Sequence, residues 1–484
     1  PSGQLCFVKL SPGGGDAITI REFDLEKKQF VENGFIIPVA KSAVSWYDRD
    51  TVLVGTDDGT PGSMTDSGYP RTTRKWKRGT KFTSAPIVFE GLKSDMSVAM
   101  SHIFDPRGYE YEARFRTIDF YSATYEFREI SGVDNAWYKM NVPVSAKCDL
   151  FGDQLLVELR SDWSVGKLGT VKAGSLLSIP FREHCQGNND GAMLLFEPKP
   201  EASLDRYFGT RSYLVLELLE HVKFLRQCLR YIPTESRGES AAAWEYLNLT
   251  VPASMDNVFG WAHDDDSDDL VWSVRTGFLT PSTVELIDME ALINGSSGQY
   301  TNVSKSAPSF FNEDLFEVQQ HFCTSVDGTR VPYFQISKKD LVLDGSNPTL
   351  QYGYGGFEIS MTPYYSGTFG MLWLEKGGVF VMTNIRGGNE YGPEWHKDVL
   401  LERRYKAYED FESIAEDLMA RKVTSPSKLG IMGGSNGGLL VGNCMTRRPE
   451  LFGAIVCQVP LLDMERYTYL LAGASWAAEF GDPD

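Results

Sequence analysis

The 484-residue sequence lacks a long hydrophobic run, an excess of basic residues and any closely spaced cysteine pair. Without a run of about 18 apolar residues, a membrane-spanning helix is not expected. With 47 Lys and Arg against 65 Asp and Glu, the formal net charge is −18. This balance predicts no basic surface of the kind that binds nucleic-acid phosphates. The sequence therefore favours neither a membrane protein nor a nucleic-acid-binding protein.

Cysteine is scarce and scattered along the chain. The seven cysteines include no C-x-x-C pair, which favours buried thiols over a disulfide framework or a zinc ribbon. Reduced thiols indicate a cytoplasmic protein. The sequence begins at Pro1 with neither an initiator methionine nor a signal segment, so a periplasmic or secreted location stays open.

Hydrophobic residues make up 42% of the chain and aromatic residues 12%, which is enough for more than one folded domain. From residue 1 to 309, short apolar strands such as 153–159 and 270–275 alternate with polar turns. Many short strands carried over about 300 residues predict the four-stranded blades of a β-propeller. A pair of β-sandwiches is the alternative, because the repeat is too degenerate to count.

Residues 310–484 show a different pattern, in which strands alternate with helices. The apolar run 378–383 is typical of a strand buried in a parallel sheet, and 429–432 and 454–459 are further strand candidates. Between them, apolar residues spaced along one face predict an amphipathic helix. These residues are Phe411, Ile414, Ala415, Leu418 and Met419. The pattern predicts an α/β domain with a doubly wound, mostly parallel sheet.

A glycine-rich turn follows the strand at 429–432 and precedes a predicted helix. Its sequence, Gly433 to Gly437 with Ser435 at the centre, fits the G-x-S-x-G pattern of a nucleophile elbow. Glycines two residues before and after the serine leave room where strand and helix approach each other. The backbone amide of Asn436 lies at the helix start, where it is free to donate to a developing oxyanion. The turn therefore predicts Ser435 as a catalytic nucleophile.

A second glycine cluster, at 352–357, lies where a hydrolase of this kind supplies its other oxyanion donor. By itself the cluster is more typical of a tight turn with core aromatics. Together with the elbow and the segments 384–392, 395–397 and 448–453, it resembles the prolyl oligopeptidase family of serine peptidases in order and spacing. The resemblance is strong from about residue 310 onward and only architectural before that.

The resemblance implies a seven-bladed β-propeller over residues 1–309 and an α/β-hydrolase peptidase domain over 310–484. It also implies that the propeller is N-terminally incomplete and the hydrolase C-terminally incomplete. The implied activity is hydrolysis of short peptides on the carboxyl side of proline through an acyl-enzyme, with the propeller as a size filter. Proline-containing oligopeptides are the expected partners. We expect a monomer with no cofactor and no metal.

The resemblance also implies roles for particular residues. Ser435 would be the nucleophile, with the Tyr354 hydroxyl and the Asn436 amide completing the oxyanion hole. A flat, donor-free proline ring is best held by aromatic faces that exclude water. The implied substrate pocket consists of Trp476, Phe357, Leu461 and Phe480. In this pocket Leu461 replaces a valine-like wall and Phe480 replaces a tyrosine.

What the sequence lacks after Ser435 is a histidine, which a serine nucleophile needs to take its proton. The six histidines all precede it: His102, His184, His221, His263, His321 and His396. We interpret His396, which lies within a family motif, as a structural hydrogen-bonding residue, the alternative being that it is the base. We therefore expect the triad Asp and His beyond residue 484 and an inactive fragment. A related oligopeptidase with another preference, or a non-catalytic propeller scaffold with a degenerate hydrolase domain, are the alternative functions.

Overall fold

The computed structural model describes residues 3–130, 132, 135–237, 242–295 and 301–483. Within these ranges, residues up to Ser306 form six four-stranded antiparallel sheets, the blades of a β-propeller. The first three comprise β1 (Leu5–Leu10), β2 (Ile18–Asp24), β3 (Gln29–Phe30), β4 (Ile36–Ala40); β5 (Ala43–Asp48), β6 (Thr51–Gly55), β7 (Thr72–Lys77), β8 (Ile87–Glu90); and β9 (Ser97–Asp105), β10 (Tyr109–Asp119), β11 (Ser122–Glu129), β12 (Tyr138–Lys139).

The fourth blade carries an inserted hairpin and a short helix. It comprises β13 (Lys147–Phe151), β14 (Gln154–Glu158), the hairpin β15 (Trp163–Val165) and β16 (Gly169–Val171), β17 (Leu176–Pro180), α1 (Phe181–Cys185) and β18 (Met193–Phe196). The fifth and sixth comprise β19 (Ala202–Gly209), β20 (Tyr213–Glu220), β21 (Lys223–Tyr231), β22 (Trp244–Ser254); and β23 (Asn257–Ala262), β24 (Leu270–Thr276), β25 (Thr283–Asp288), α2 (Met289–Ile293), β26 (Thr301–Ser306). The predicted propeller architecture is confirmed, whereas the seven-blade count stays a prediction.

The hydrolase part contains a six-stranded mixed sheet in the order β27-β28-β30-β29-β31-β32. Its elements are β27 (Phe316–Thr324), β28 (Arg330–Lys338), β29 (Thr349–Tyr352), α3 (Gly367–Phe369) with a π-helical extension (Gly370–Leu374), β30 (Val379–Thr383), α4 (Pro393–Lys397), α5 (Tyr405–Ala420), β31 (Leu429–Gly434), α6 (Asn436–Arg447), β32 (Ala454–Gln458) and α7 (Ala477–Phe480). Short 3₁₀ turns cover Leu401–Arg404, Tyr467–Tyr469 and Gly473–Trp476.

Four strands of this sheet are parallel, as predicted, and the antiparallel pair β27 and β28 was not anticipated. The sheet is buried on both faces, which explains the continuous apolar run in β30. Val379 and Val381 pack with α5 and α6, whereas Phe380 and Met382 pack on the opposite side. The division at residue 309/310 stays a prediction. Among the described residues, no helix is long and apolar enough to cross a membrane.

Candidate active site

The sharp turn between β31 and α6 presents Ser435 to solvent. Ser435 has φ 57° and ψ −118°, a backbone conformation that is rare for a residue with a side chain. Its side chain is exposed, although the first residues of α6 are buried. The Ser435 amide donates to the Gln458 carbonyl at 3.0 Å, which fixes the turn to β32. The predicted strand, turn and helix are present in this order.

The glycines around Ser435 are required by close backbone approaches. A Cβ atom on Gly433 would lie 2.2 Å from the Gly437 carbonyl oxygen. A Cβ atom on Gly437 would lie 2.5 Å from the carbonyl oxygen of Gly353, which belongs to the second glycine cluster. Gly433 therefore allows the strand and the helix of the elbow to approach each other, as the sequence suggested, and Gly437 allows the elbow to contact the segment after β29.

Two hydrogen-bond donors flank Ser435. The Tyr354 hydroxyl is hydrogen-bonded to the Ser435 side chain. Burial raises the pKa of Tyr354, with this hydrogen bond acting in the opposite direction, so the hydroxyl stays protonated near neutral pH. The amide of Asn436 is the first of α6, and the first N–H groups of a helix have no acceptor within it. The Asn436 side chain donates from Nδ2 to the Tyr354 carbonyl at 2.6 Å, which ties the two donors together.

An aromatic cluster lies in the segments that flank these donors. The rings of Phe357 and Phe480 meet edge to face at 5.6 Å, and Tyr467 lies 5.9 Å from Phe480 and 6.5 Å from the parallel ring of Trp476. Phe120, from the propeller, lies 5.3 Å from Phe357. Three of the four predicted pocket residues are therefore in one cluster, joined by two aromatics that sequence reasoning missed.

Leu461, the fourth predicted pocket residue, is half-buried in the segment between β32 and the turn at Tyr467–Tyr469. Its place in a substrate pocket stays a prediction, as do the roles of the other predicted residues.

Glu479 is the centre of a buried polar network beside the aromatic cluster. Its Oε1 accepts hydrogen bonds from the Phe357 amide at 3.1 Å and from Arg404 Nη1 at 2.7 Å. Its Oε2 accepts from His396 Nε2 at 2.6 Å and from the Tyr121 hydroxyl. Burial alone would raise the pKa of Glu479, but the hydrogen bond from His396 and the charge of Arg404 lower it to about 2. Glu479 is therefore an ionised carboxylate at neutral pH.

His396 is fully buried, and both of its ring nitrogens are engaged. Arg160 Nη2 donates to Nδ1 at 2.7 Å, so Nδ1 accepts and Nε2 carries the proton donated to Glu479. This environment agrees with the structural interpretation of His396. The other five histidines bond elsewhere through their rings: His102 to Glu110, His184 to Asn189, His221 to Tyr391, His263 to Asp268 and His321 to Arg421. Each of the six ring systems thus has partners other than Ser435.

Arg404 connects this network to the elbow. Its Nη1 binds Glu479, and its Nη2 donates to the Asn436 side-chain oxygen. Sequence reasoning did not find Arg404, because a lone arginine between two helices gives no sign of being buried. Glu479 carried a usable signal, since it lies three residues after Trp476 within a segment that supports the family resemblance.

The network crosses to the propeller through Tyr121 and Arg160. A cavity of about 170 Å³ borders these two residues and is also lined by Phe120 and Glu358. Phe357 of the aromatic cluster and Glu479 of the polar network therefore lie at the boundary between the two parts of the molecule. Across the described ranges, no group of three or more His, Cys, Asp or Glu side chains could hold a metal ion. The expectation of no cofactor and no metal stays a prediction.

The geometry defines a class of protein, an α/β-hydrolase with an exposed serine at a nucleophile elbow, combined with a β-propeller. Comparison with known proteins narrows this class. The profile of the prolyl oligopeptidase family matches residues 365–484. An uncharacterized peptidase from Sinorhizobium fredii is 38% identical over 487 residues, which cover 100% of this chain and 65% of the relative.

Two further relatives carry more specific names. A prolyl endopeptidase from Elizabethkingia miricola is 39% identical over 206 residues, which cover 43% of this chain and 28% of the relative. The structure of a post-proline cleaving enzyme from Rickettsia typhi is similar, with a TM-score of 0.89 and 31% identity, covering 99% of this chain and 69% of that one.

The chain belongs to the prolyl oligopeptidase family of serine peptidases. It spans 65% of the length of each of two curated relatives that match it from end to end.

Proposed function

We propose that the full-length protein carrying these residues is a serine endopeptidase that cleaves short peptides on the carboxyl side of proline. The observation that supports this most is the exposed Ser435 hydroxyl on a strained turn, with the Tyr354 hydroxyl and the start of α6 beside it. Strain at such a turn is maintained only where the surrounding structure fixes it, and it is typical of functional sites.

In the proposed mechanism, Ser435 Oγ attacks the carbonyl carbon of the proline residue itself, and the serine proton passes to a general base. The carbonyl oxygen becomes an oxyanion that accepts hydrogen bonds from the Tyr354 hydroxyl and the Asn436 amide. The C–N bond then breaks, the amine leaves with the proton, and an acyl-enzyme remains for water to hydrolyse. All six histidines have other partners, so this proposal assigns the general base to none of them.

The preference for proline is assigned to the aromatic cluster. Trp476, Phe357 and Phe480 offer flat apolar faces, which suit a proline ring that has no hydrogen-bond donor. The names of two relatives, a prolyl endopeptidase and a post-proline cleaving enzyme, support the same preference. In this proposal Leu461 closes one side of the pocket, and the propeller excludes folded proteins.

The test uses the full-length protein and a chromogenic dipeptide with proline before the scissile bond. Ser435→Ala should lower kcat at least about a thousandfold without changing the circular dichroism spectrum. Ser427→Ala, at an exposed serine of the same domain, is the matched control and should behave like the wild type. Turnover that survives Ser435→Ala would eliminate the proposal.

The pocket assignment is tested with prolyl, alanyl and arginyl substrates. Trp476→Ala should raise KM for the prolyl substrate about tenfold, because the proline ring loses an aromatic face to pack against, and should affect the alanyl substrate less. Equal effects on both substrates would dismiss the pocket. If the wild type cleaves the arginyl substrate faster than the prolyl one, the alternative function, an oligopeptidase that prefers basic residues, is favoured instead.

A further inference from the structure

We infer that Tyr121 and Arg160 of the propeller are positioning residues for the proposed substrate pocket. They act through an interdomain junction, defined here as Tyr121, Arg160, Glu358, His396 and Glu479. The effect on turnover rests on the proposed function, whereas the coupling between the propeller and the pocket can be measured without turnover.

Contacts within the propeller help to hold Tyr121 in place. Tyr121 lies in the turn between β10 and β11, and its amide donates to Asp119 Oδ1 at 2.7 Å. The Arg160 guanidinium lies 4.0 Å from the centre of the Tyr121 ring. Burial raises the pKa of Tyr121, so its hydroxyl remains a donor to Glu479 at neutral pH. The propeller therefore presents a fixed donor to the hydrolase part.

The junction holds the segment that carries the pocket. Phe357 and Glu358 have φ of 55° and 56°, which is unusual for residues other than glycine. The Phe357 amide donates to Glu479, and the Glu358 carboxylate accepts from Arg160 Nε at 2.6 Å. Two consecutive strained residues are thus held from two sides, one of which is the propeller. Loss of either contact should let the segment relax.

The same junction reaches the proposed oxyanion donors. Glu479 binds Arg404, Arg404 binds the Asn436 side chain, and Asn436 binds the Tyr354 carbonyl. Each link is a hydrogen bond between groups that are buried or partly buried. A change in how the propeller contacts Glu479 is therefore transmitted along three bonds to the residues beside Ser435.

A second contact between the two parts of the molecule provides a comparison. The buried Ser203 hydroxyl donates to the Glu390 carbonyl at 3.0 Å, and Asn389 Nδ2 donates to the Leu204 carbonyl at 3.2 Å. These bonds also join the propeller to the hydrolase part, but they contact neither Phe357 nor Arg404. If these contacts only hold the two parts together, removing either one should have the same effect on the pocket. If the junction positions the pocket, only the loss of a junction contact should have an effect.

The experiment compares Tyr121→Phe with Ser203→Ala in the full-length protein. Each variant removes one interdomain hydroxyl, and Tyr121→Phe keeps the ring against Arg160. Hydrogen–deuterium exchange is followed at the Phe357 amide, together with the kinetics of prolyl peptide cleavage. For Tyr121→Phe we expect exchange about tenfold faster and a kcat/KM about tenfold lower, because a hydrogen bond to a buried carboxylate is lost. Ser203→Ala should leave both at wild-type values.

Three results would overturn the inference. These are wild-type exchange at Phe357 in Tyr121→Phe, an equal change in Ser203→Ala, and faster exchange with an unchanged kcat/KM. If the wild type cleaves no prolyl peptide, the proposed function fails, and the exchange rates alone decide whether the junction positions the pocket segment.

Discussion

Replacing Arg404 with methionine should expose the energetic cost of the Glu479 network. The variant leaves a fully buried carboxylate without the cation that contacts its Oε1 and leaves the Asn436 side-chain oxygen without its donor. Breaking a buried ion pair in this way costs about 3–5 kcal/mol. The lowered pKa of Glu479 gives a second measure of how much the partners of this carboxylate stabilise the folded state. A fall from the ordinary 4.5 to about 2 corresponds to about 3 kcal/mol of stability at neutral pH.

The sign of this contribution follows from the direction of the shift. Because the pKa is lower in the folded state, the stabilisation is present above pH 4.5 and is lost as the pH falls from 4.5 to about 2. Urea denaturation, followed by tryptophan fluorescence at pH 7, should therefore show Arg404→Met less stable by about 3–5 kcal/mol. Adding Glu479→Gln should restore about 2 kcal/mol or more, since no buried charge then remains. A double variant as unstable as the sum of the two single variants would refute the reasoning.

Two further predictions concern the elbow and a buried acid. Gly433→Ala should abolish most activity and destabilise the fold by about 2–4 kcal/mol, because its Cβ would lie 2.2 Å from the Gly437 carbonyl oxygen. Gly434→Ala is the control, because its Cβ would lie 3.7 Å from the nearest atom. If both variants lose the same free energy of unfolding in urea and the same turnover, the steric explanation is wrong. Burial raises the pKa of Glu390 to about 7, despite the hydrogen bond from the Met361 amide. The wild type should therefore lose stability relative to Glu390→Gln as the pH rises from 4.5 through 7. Melting temperatures of both proteins are compared at pH 5 and at pH 8. A difference between the two proteins that is the same at both pH values would exclude this.

The spacing of apolar residues in the sequence correctly predicted the helix and the strand whose buried faces follow a local pattern. The residues spaced along one face from Phe411 to Leu418 are buried in α5, and the apolar run near 378 is β30. The number of blades was beyond prediction, because blade length varies. The fourth blade contains an extra hairpin and a helix. In the first blade, β3 and β4 both pair with the same edge of β2, so two short strands take the place of one. The antiparallel pair β27 and β28 was missed, although Asp327 and Gly328 between the two strands form a strong hairpin signal.

The candidate site divides in the same way. Ser435 and its glycines form a contiguous motif, and the requirement for small residues is written into the sequence itself. Glu479 and Arg404 acquire their roles only through partners far along the chain, such as His396 and Tyr121. A carboxylate or guanidinium at such a position has the same local sequence whether it is solvated or buried. Only the folded arrangement distinguishes these cases.

Tyr121 and Glu479 are 358 positions apart in sequence. Contacts of such separation cannot form until both ends have left the ribosome, and domains of long chains generally fold in order of synthesis. The propeller should thus be complete before its hydroxyl meets the carboxylate that it binds. The docking of the two parts through Tyr121 and Glu479 is therefore a late event in the folding of the chain, and it follows the folding of the strands that carry Tyr121.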